Sequence, residues 1–438
     1  MASNLLMRGA MFARCACVTF PLVLASTGLG LACNALLGTP NAVLASSGDA
    51  SEDGPPTPSN DGGNRDSTTE AGSNLPVDAA DDAATAPESG PPLCCGSNSC
   101  DPLNGSPDNC GTCGHNCLGG GCISSTCSPT FLVGSPAVFD GLQSLYGLTV
   151  MGDTLYGTDW YTPDTVVYTS PTTGHSDVPS RVYPAAKDAG NAAAISIVND
   201  DAGLYFAVYR NDNGWTGGIY SVAPSGDGGL LYSSSDSPIG NVAVDSNYVY
   251  WSEPQGYIWR GNKDGTGATQ YDVGPISVPI VARGGRLYYV TTTSGGLVAV
   301  DPSNLNTILS AFSGGTTVSA FTVGNTYVFW IDQTAQRIYR SSLLDTGAPQ
   351  DITPPGLSFT RKYLGMLTDD EYLYVENSDI SNRGATIWRV ATDGSSYQPM
   401  TIVEDAIMSF VQDATALYFT TYGTADAGPY SAVWKLAK

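Results

Sequence analysis

The stretch that decides the fold is NYVYWSEPQGYIWRGNKDG, which runs from Asn247 to Gly265. It contains two short runs of aromatic and β-branched residues, Tyr248–Trp251 and Tyr257–Trp259, separated by a polar turn. Two such runs flanked by turn residues are typical of a β-hairpin. The Asp264–Gly265 pair at the end predicts another tight turn, leading to a further strand.

The same unit recurs throughout the part of the chain that follows residue 128. Its signature is an aliphatic residue followed by an aromatic one, and successive pairs are 38 to 49 residues apart. A short apolar run precedes each pair, and a third run and a weaker fourth run follow it. The seven pairs are Leu155–Tyr156, Leu204–Tyr205, Val249–Tyr250, Leu287–Tyr288, Val328–Phe329, Leu373–Tyr374 and Leu417–Tyr418.

Four short antiparallel strands in every ~40–50 residues are the content of one β-propeller blade. We therefore predict an all-β domain over residues 129–438, a seven-bladed β-propeller whose blades are four-stranded and antiparallel. A β-sandwich also has short strands and frequent turns, but it does not repeat itself seven times at nearly fixed spacing. The repeat therefore favours the propeller.

The seventh unit lacks a fourth strand, because the sequence ends at Lys438, directly after the run Val433–Leu436. A ring left in that state would expose an unpaired strand edge. The run Thr130–Val133 precedes the first unit and belongs to no other blade. We predict that it supplies the outermost strand of the seventh blade and closes the circle.

Three of the units resemble the YWTD repeats of LDL-receptor-type propellers, and more loosely NHL and TolB repeats. The resemblance spans roughly residues 147–438 and implies a propeller, usually of six blades in that family, so six blades are the alternative to seven. Because propellers carry many functions, it implies a fold and not an activity. The matching segments are Val249–Glu253, Ile258–Arg260, Lys263–Gly265, Val328–Asp332, Ile338–Arg340, Leu344–Asp345, Ile387–Arg389 and Asp393–Gly394.

Composition and charge narrow the class of protein. Only 13 % of residues are charged, while Gly (51), Pro (28) and Tyr (24) are abundant, as in turn-rich exported β-proteins. The net charge is −23, and acidic residues outnumber basic ones in every part except the N-terminus. Phosphate backbones and anionic lipid surfaces would be repelled. We therefore expect no nucleic-acid partner, and membrane contact only through an N-terminal lipid.

Residues 1–32 have the features of a secretory signal peptide. Arg8 and Arg14 precede an uncharged run from Cys15 to Ala32, which ends in small side chains. The run Leu29–Cys33 resembles a bacterial lipoprotein box, although a glycine stands where that family prefers leucine. The resemblance implies cleavage before Cys33 and its lipidation; the alternatives are a secreted protein and an uncleaved anchor.

Residues 33–92 predict a disordered tether. The segment 46–92 consists mainly of Ser, Gly, Asp, Ala, Pro and Thr, and it contains ten acidic residues and one arginine. It has too little apolar surface to offset the entropy of ordering, and its charges and prolines keep it extended. It would hold the domains away from a membrane, or simply join them.

Residues 93–128 predict a small disulfide-rich module, because an even number of cysteines in a short exported segment is typical of a disulfide framework. The spacing from Cys110 to Cys117, with His115 between them, leaves a zinc site as the alternative. The run 107–122 resembles cysteine-rich repeats of bacterial surface proteins, which implies an extracellular module. The eight cysteines are Cys94, Cys95, Cys100, Cys110, Cys113, Cys117, Cys122 and Cys127.

Four polar residues occupy the same repeat position, three residues after the aromatic of the pair: Asp159, Glu253, Asp332 and Asn377. Equivalent positions in a ring converge at equivalent places, so these oxygen ligands are candidates for a Ca²⁺ site. The alternative is that they are hydrogen-bonding groups that hold the blades in place. We favour the structural role.

The sequence favours binding over catalysis. The propeller contains one histidine, His175, and no cysteine. A catalytic nucleophile–base pair would therefore have no thiol nucleophile and only one histidine as its base. We expect an exported, lipid-anchored, monomeric envelope or surface protein that acts as a binding platform for a protein, peptide or glycan, with no cofactor. The alternatives are a Ca²⁺-assisted hydrolase or lyase at the axial mouth, and a passive surface spacer.

Overall fold

The fold is described from a computed structural model of the 438-residue chain. The predicted signal peptide, Cys33 and the tether lie outside the residues that the structure describes, as do Cys94, Cys95, Cys100 and Cys113. In the part that is described, no helix has the length and apolarity needed to cross a membrane. The described residues are 107–108, 110, 115–123, 125–133, 145–159, 166–174, 180–184, 192–210, 216–223, 228–234, 239–276, 279–292, 296–312, 317–344, 347–359, 363–378, 384–423 and 430–438.

Among the described residues, three strands precede the first blade. β1 (Cys122–Ile123) and β2 (Thr126–Cys127) pair in a small hairpin, and β3 (Thr130–Val133) follows directly. The strands that follow form six antiparallel sheets of four consecutive strands, and the last three strands form a seventh sheet with β3. Blades 1 to 3 are β4 (Leu145–Met151), β5 (Thr154–Asp159), β6 (Val166–Pro171) and β7 (Ser180–Pro184); β8 (Ala192–Asp200), β9 (Gly203–Arg210), β10 (Thr216–Val222) and β11 (Gly228–Ser234); and β12 (Val242–Val244), β13 (Tyr248–Glu253), β14 (Tyr257–Asn262) and β15 (Thr269–Asp272).

Blades 4 to 7 continue the pattern without interruption until the last blade. That blade takes three strands from the end of the chain and its fourth from β3. These blades are β16 (Val281–Arg283), β17 (Arg286–Val290), β18 (Leu297–Asp301) and β19 (Asn304–Phe312); β20 (Val318–Val323), β21 (Tyr327–Asp332), β22 (Arg337–Ser342) and β23 (Gln350–Asp351); β24 (Tyr363–Thr368), β25 (Tyr372–Ser378), β26 (Ala385–Ala391) and β27 (Tyr397–Val403); and β28 (Ala406–Gln412), β29 (Ala416–Gly423), β30 (Tyr430–Ala437) and β3.

The blades form a closed ring. The first strand of each blade contacts the first strand of the next, and β28 of blade 7 contacts β4 of blade 1. The first strands therefore surround the axis, and the fourth strands lie at the rim. The predicted seven-bladed, four-stranded, antiparallel propeller is confirmed, and the six-bladed alternative is wrong because all seven aliphatic–aromatic pairs lie in second strands.

The core lies between blades. Seven apolar clusters are present in the described residues, and each one joins two neighbouring blades around the ring. Between blades 2 and 3, for example, the Tyr232 ring stacks on Trp251 with centroids 4.8 Å apart, and Trp251 stacks on Trp259 at 5.8 Å. Second strands such as β13 are buried on both faces, which explains their nearly continuous apolar sequence.

The predicted closing strand is confirmed. β3 pairs antiparallel with β30, and Phe131 stands opposite Trp434 with ring centroids 5.2 Å apart. Leu132 and Val133 are 1 % and 2 % exposed and belong to the cluster that joins blades 7 and 1. The segment before blade 1 thus completes the last sheet, so an early part of the chain holds the end of the chain in place.

The cysteine module packs against the propeller. The structure joins Cys110 to Cys122 and Cys117 to Cys127 by disulfides. Cys110, Cys117 and Cys127 are buried in the same apolar cluster that joins blades 6 and 7. The module lies there because β2 leads through two residues into β3, the rim strand of blade 7. Its position is therefore set by ring closure.

Candidate functional site

The residues considered for Ca²⁺ lie in different blades. Asp159 ends β5, Glu253 ends β13, Asp332 ends β21 and Asn377 is next to last in β25. Glu253, Asp332 and Asn377 are buried, with exposed fractions of 5 %, 4 % and 8 %. All four positions lie at the end of the propeller that carries the turns between second and third strands.

Asp332 has a structural role at that end. Its Oδ1 accepts hydrogen bonds from the backbone N–H groups of Thr334 at 2.9 Å and Ala335 at 3.0 Å, which caps the turn into β22. Among the described His, Cys, Asp and Glu residues, one group of three places its ligand atoms within 4.8 Å of one another, and it consists of Cys110, Cys117 and Cys127. Those cysteines are bound in disulfides. The group contains no aspartate or glutamate, so the described residues contain no cluster of carboxylates at this spacing.

A second set of carboxylates, which the sequence reasoning missed, lies at the opposite end. Three aspartates follow a first strand and precede a tyrosine by five positions: Asp245 with Tyr250, Asp369 with Tyr374, and Asp413 with Tyr418. In each, Oδ1 accepts from the backbone N–H groups two and three residues ahead. Oδ2 accepts from the tyrosine hydroxyl at 2.7 Å, so the aspartate fixes both turn and ring.

These contacts shift the protonation of both partners. Burial raises the pKa of Tyr250, Tyr374 and Tyr418, and the hydrogen bond to the aspartate raises it further. For Asp369 and Asp413, burial alone would raise the carboxyl pKa, but the hydrogen bonds from the tyrosine and from backbone N–H groups outweigh it. The net result is a pKa below the usual value.

The depressed pKa values predict acid sensitivity. A carboxyl whose pKa is lower in the folded state stabilises the protein above its unfolded pKa, about 3.9 for Asp, and this stability is lost as pH falls through the folded value. We expect Asp413→Asn to lower the free energy of unfolding by about 1–3 kcal/mol at pH 7. The difference between wild type and variant should shrink towards pH 3 in thermal melts followed by circular dichroism. Asn at the exposed Asp201 is the control, and a pH-independent difference would contradict the assignment.

A ladder of cations links the blades at this same end. Arg260, Arg340, Arg389 and Lys435 share one register position, opposite the aromatic residue of the aliphatic–aromatic pair. Each arginine also lies over a tyrosine of the neighbouring second strand, with 4.6 to 4.8 Å from Cζ to the ring centroid. The position is therefore built to hold a cation.

Three of these cations bind the next blade. Arg260 Nη1 donates to Pro302 O at 2.7 Å, Arg340 Nη1 donates to Thr392 O at 2.8 Å, and Lys435 Nζ donates to Thr172 O at 2.9 Å. Each acceptor is in the turn between the third and fourth strands of the following blade. Strand pairing within a blade and these bonds between blades together hold the ring.

Arg389 is the exception. The blade that follows it is blade 7, whose fourth strand is β3 from the start of the domain. The residue at the acceptor position, directly after the third strand, is Lys438 here, and no hydrogen bond joins it to Arg389 among the described residues. Within the described part of the chain, the Arg389 guanidinium contacts the Tyr372 ring at 4.8 Å and has no hydrogen-bond acceptor.

The Arg389 side chain lines a cavity of about 430 Å³ between the cysteine module and blades 6 and 7, which we call the seam pocket. Its polar lining comes from three separate parts of the chain. Met400 and Leu436 add apolar surface, and both belong to the cluster between blades 6 and 7. The polar residues are His115, Ser125, Thr126, Arg389, Gln398 and Lys438.

The seam pocket is basic in an acidic protein. Lys438 Nζ lies 3.4 Å from Asp369 Oδ2 and 5.1 Å from the centroid of the Tyr374 ring. Burial lowers the pKa of Lys438, and the neighbouring Asp369 acts in the opposite direction. His115 Nε2 lies 3.8 Å from Cys127 Sγ. Arg389 is thus the cation of the pocket without an anionic or carbonyl partner among the described residues.

Comparisons with known proteins agree with the architecture. No family model matches the sequence, and a search of curated proteins finds no match. Solved structures match the fold. The Pan2 WD40 domain of Neurospora crassa is 12 % identical with a TM-score of 0.50, and the match covers 70 % of this chain and 95 % of that one.

Two bacterial structures are also similar. A virginiamycin B lyase from Staphylococcus aureus is 12 % identical with a TM-score of 0.50, covering 70 % of this chain and 98 % of its own. BamB from Moraxella catarrhalis is 14 % identical with a TM-score of 0.42, covering 66 % and 81 %. At these identities the similarity concerns the fold alone, and the chain is a seven-bladed β-propeller with a disulfide-bonded module on its rim.

Proposed function

We propose that this chain is an exported, lipid-anchored binding protein whose propeller serves as an interaction platform for a protein, peptide or glycan. The seam pocket carries the proposal. It joins the module and two blades in one concave surface, and its size is in the range of ligand sites, about 300–1,000 Å³. Its lining combines apolar surface with a few polar and basic groups, as binding sites do.

The N-terminal part of the chain supports an envelope location. Disulfides of the kind present in the module form and persist in oxidising compartments. Lipidation of Cys33 and an extended acidic tether remain predictions from the sequence. Together they would place the platform outside the membrane surface, with its binding surface free to meet a partner.

A hydrolase or lyase that uses Ca²⁺ is the second candidate. One structural neighbour is a lyase by name, although its 12 % identity supports only the fold. The four candidate ligands lie in four different blades, and Asp332 already caps a turn. Metal analysis of the purified chain separates the two functions, since one bound Ca²⁺ per chain would favour the enzyme.

The platform is tested by site-specific photo-crosslinking in cells. A photoreactive phenylalanine analogue replaces Thr126 at the pocket or, as control, Thr334 in an exposed turn of blade 5. We expect a crosslinked partner from position 126 and none from 334. Gln398→Trp should remove the adduct, because the indole would fill part of the pocket. Equal adducts from both positions, or none from 126, would refute a partner at the seam pocket.

A further inference from the structure

The seam pocket contains a cation site without the acceptor that its equivalents have. At the same register position, Arg260, Arg340 and Lys435 each donate to a carbonyl oxygen of the next blade, 2.7 to 2.9 Å away. Arg389 lies over the equivalent tyrosine and lines the pocket, but it has no hydrogen bond to Lys438, the residue at the acceptor position after β30, among the described residues. An oxygen acceptor from outside the chain can take that place.

We propose that the seam pocket binds a carboxylate, whose oxygens accept hydrogen bonds from Arg389 and whose apolar body contacts Met400 and Leu436. The inference rests on the proposed function and names the chemistry of its ligand. A guanidinium presents a planar set of N–H donors that matches a carboxylate in a bidentate pair. The Tyr372 ring, 4.8 Å from Arg389 Cζ, holds that plane in a fixed orientation.

A comparison with Arg340 in blade 5 shows which N–H donors of Arg389 are available to a ligand. There, Arg340 Nε donates to Gln350 Oε1 at 3.0 Å, and Nη1 donates to Thr392 O. Gln398 stands opposite Arg389 in the same register as Gln350 stands opposite Arg340. No hydrogen bond joins Gln398 to Arg389 among the described residues, so Nε as well as both Nη groups can face a ligand.

The neighbouring charges favour an anion. Lys438 lies in the same pocket, and its Nζ is 3.4 Å from Asp369. Asp369 also accepts bonds from Tyr372 N–H at 2.9 Å and from the Tyr374 hydroxyl at 2.7 Å, so its carboxylate is occupied by the turn. The charged lining residues are Arg389 and Lys438, and the lining includes no aspartate or glutamate.

The pocket favours a carboxylate with an apolar body over a small inorganic anion. Its volume of about 430 Å³ far exceeds what a phosphate ion fills, and Met400 and Leu436 would remain in contact with water around such an ion. The last residue of a peptide and a free apolar acid both have this chemistry. The experiment distinguishes these two sources.

Isothermal titration of the full-length exported chain tests the inference. The probes are N-acetyl-leucine, a tetrapeptide that ends in leucine with a free carboxylate, the same peptide amidated, and inorganic phosphate. We expect the free carboxylate to bind about ten- to hundred-fold more tightly than the amide, as for hydrogen bonds to a charged group. Binding of both carboxylate probes indicates recognition of apolar acids in general, and binding of the peptide alone indicates a peptide C-terminus.

Two matched variants separate recognition from stability. Arg389→Gln should weaken carboxylate binding about ten-fold or more and leave the melting temperature nearly unchanged, because no blade-to-blade bond is lost. Arg340→Gln should leave binding within about two-fold and lower the melting temperature, because its bond to Thr392 is lost. Thr126→Trp, which alters the module side of the pocket, should also abolish binding and serves if Arg389→Gln does not fold.

Equal binding of the free and amidated peptides would overturn the inference, as would phosphate binding without carboxylate binding, or a fully active Arg389→Gln chain. A photo-crosslinked partner at position 126 with no carboxylate binding would leave the platform in place and remove only its ligand class. Carboxylate binding without a crosslinked partner would support the carboxylate site and contradict the interaction platform, because the pocket would then bind a small acid and not a macromolecule.

Discussion

Replacing Thr130–Val133 by Gly-Ser-Gly-Ser in the full chain should lower the melting temperature by at least about 10 °C. Leu132 and Val133 are almost completely buried between blades 7 and 1, and Phe131 contacts Trp434. Losing a buried leucine costs roughly 2–5 kcal/mol, and the other two side chains bring the total to about 5 kcal/mol or more. For a domain of this size, each kcal/mol shifts the melting temperature by about 2–4 °C.

The replacement should also make the chain aggregate, because β30 would become an unpaired edge. Differential scanning calorimetry and light scattering measure the two effects. Leu132→Ala alone should cost about 2–5 kcal/mol. The control is Ile308→Ala on β19, another rim strand, where the side chain is 61 % exposed and the expected change is within about 0.5 kcal/mol. An unchanged melt of the four-residue variant would mean that β3 does not close the ring.

The propeller could be predicted because the sequence of one blade is repeated seven times. One hairpin such as residues 247–265 is compatible with many all-β folds, but a near-copy every 38 to 49 residues restricts the choice to an architecture of repeated small sheets. The closing strand was also predictable, since an orphan β-rich run and a blade with three strands account for each other. Both inferences need only local sequence patterns and the number of strands, and both can be obtained from the sequence alone.

The seam pocket could not be predicted in the same way. Its residues come from the module, from β26 and β27, and from the end of the chain, and no spacing in the sequence brings them together. The missing information is where the module packs. One part was accessible, because Arg389 is the arginine of a repeated I-x-R pattern.

The carboxylate positions show another limit of repeat reasoning. Equivalent repeat positions do occupy equivalent places in the ring, but seven-fold placement sets such residues apart unless they point to the axis. Asp332 instead turns back to its own hairpin and caps it. The aspartates that were missed, such as Asp413, carry an equally simple sequence signature, an aspartate five positions before a tyrosine. That signature becomes visible once the turns are known.

Gly261→Ala should destabilise the propeller by about 3 kcal/mol, although it adds one methyl group. A Cβ at this position in β14 would lie 2.3 Å from Cζ and 2.4 Å from the hydroxyl oxygen of Tyr232 in the preceding blade. That ring is not free to move, because it stacks on Trp251 and its hydroxyl lies 2.5 Å from Asn262 O and 2.6 Å from Thr266 O. Overpacking costs about 1–3 kcal/mol, and a lost hydrogen bond adds about 1 kcal/mol.

A double-mutant cycle identifies the cause. Tyr232→Ala alone should cost about 3–5 kcal/mol through lost burial. In Gly261→Ala/Tyr232→Ala the added methyl meets open space, so the double variant should be more stable than the sum of the single effects by about 2 kcal/mol. Gly229→Ala on β11, where a Cβ would meet nothing within 4 Å, should change stability by less than about 1 kcal/mol. Additive effects in denaturant titrations would show that the contact between blades 2 and 3 is looser than the structure has it.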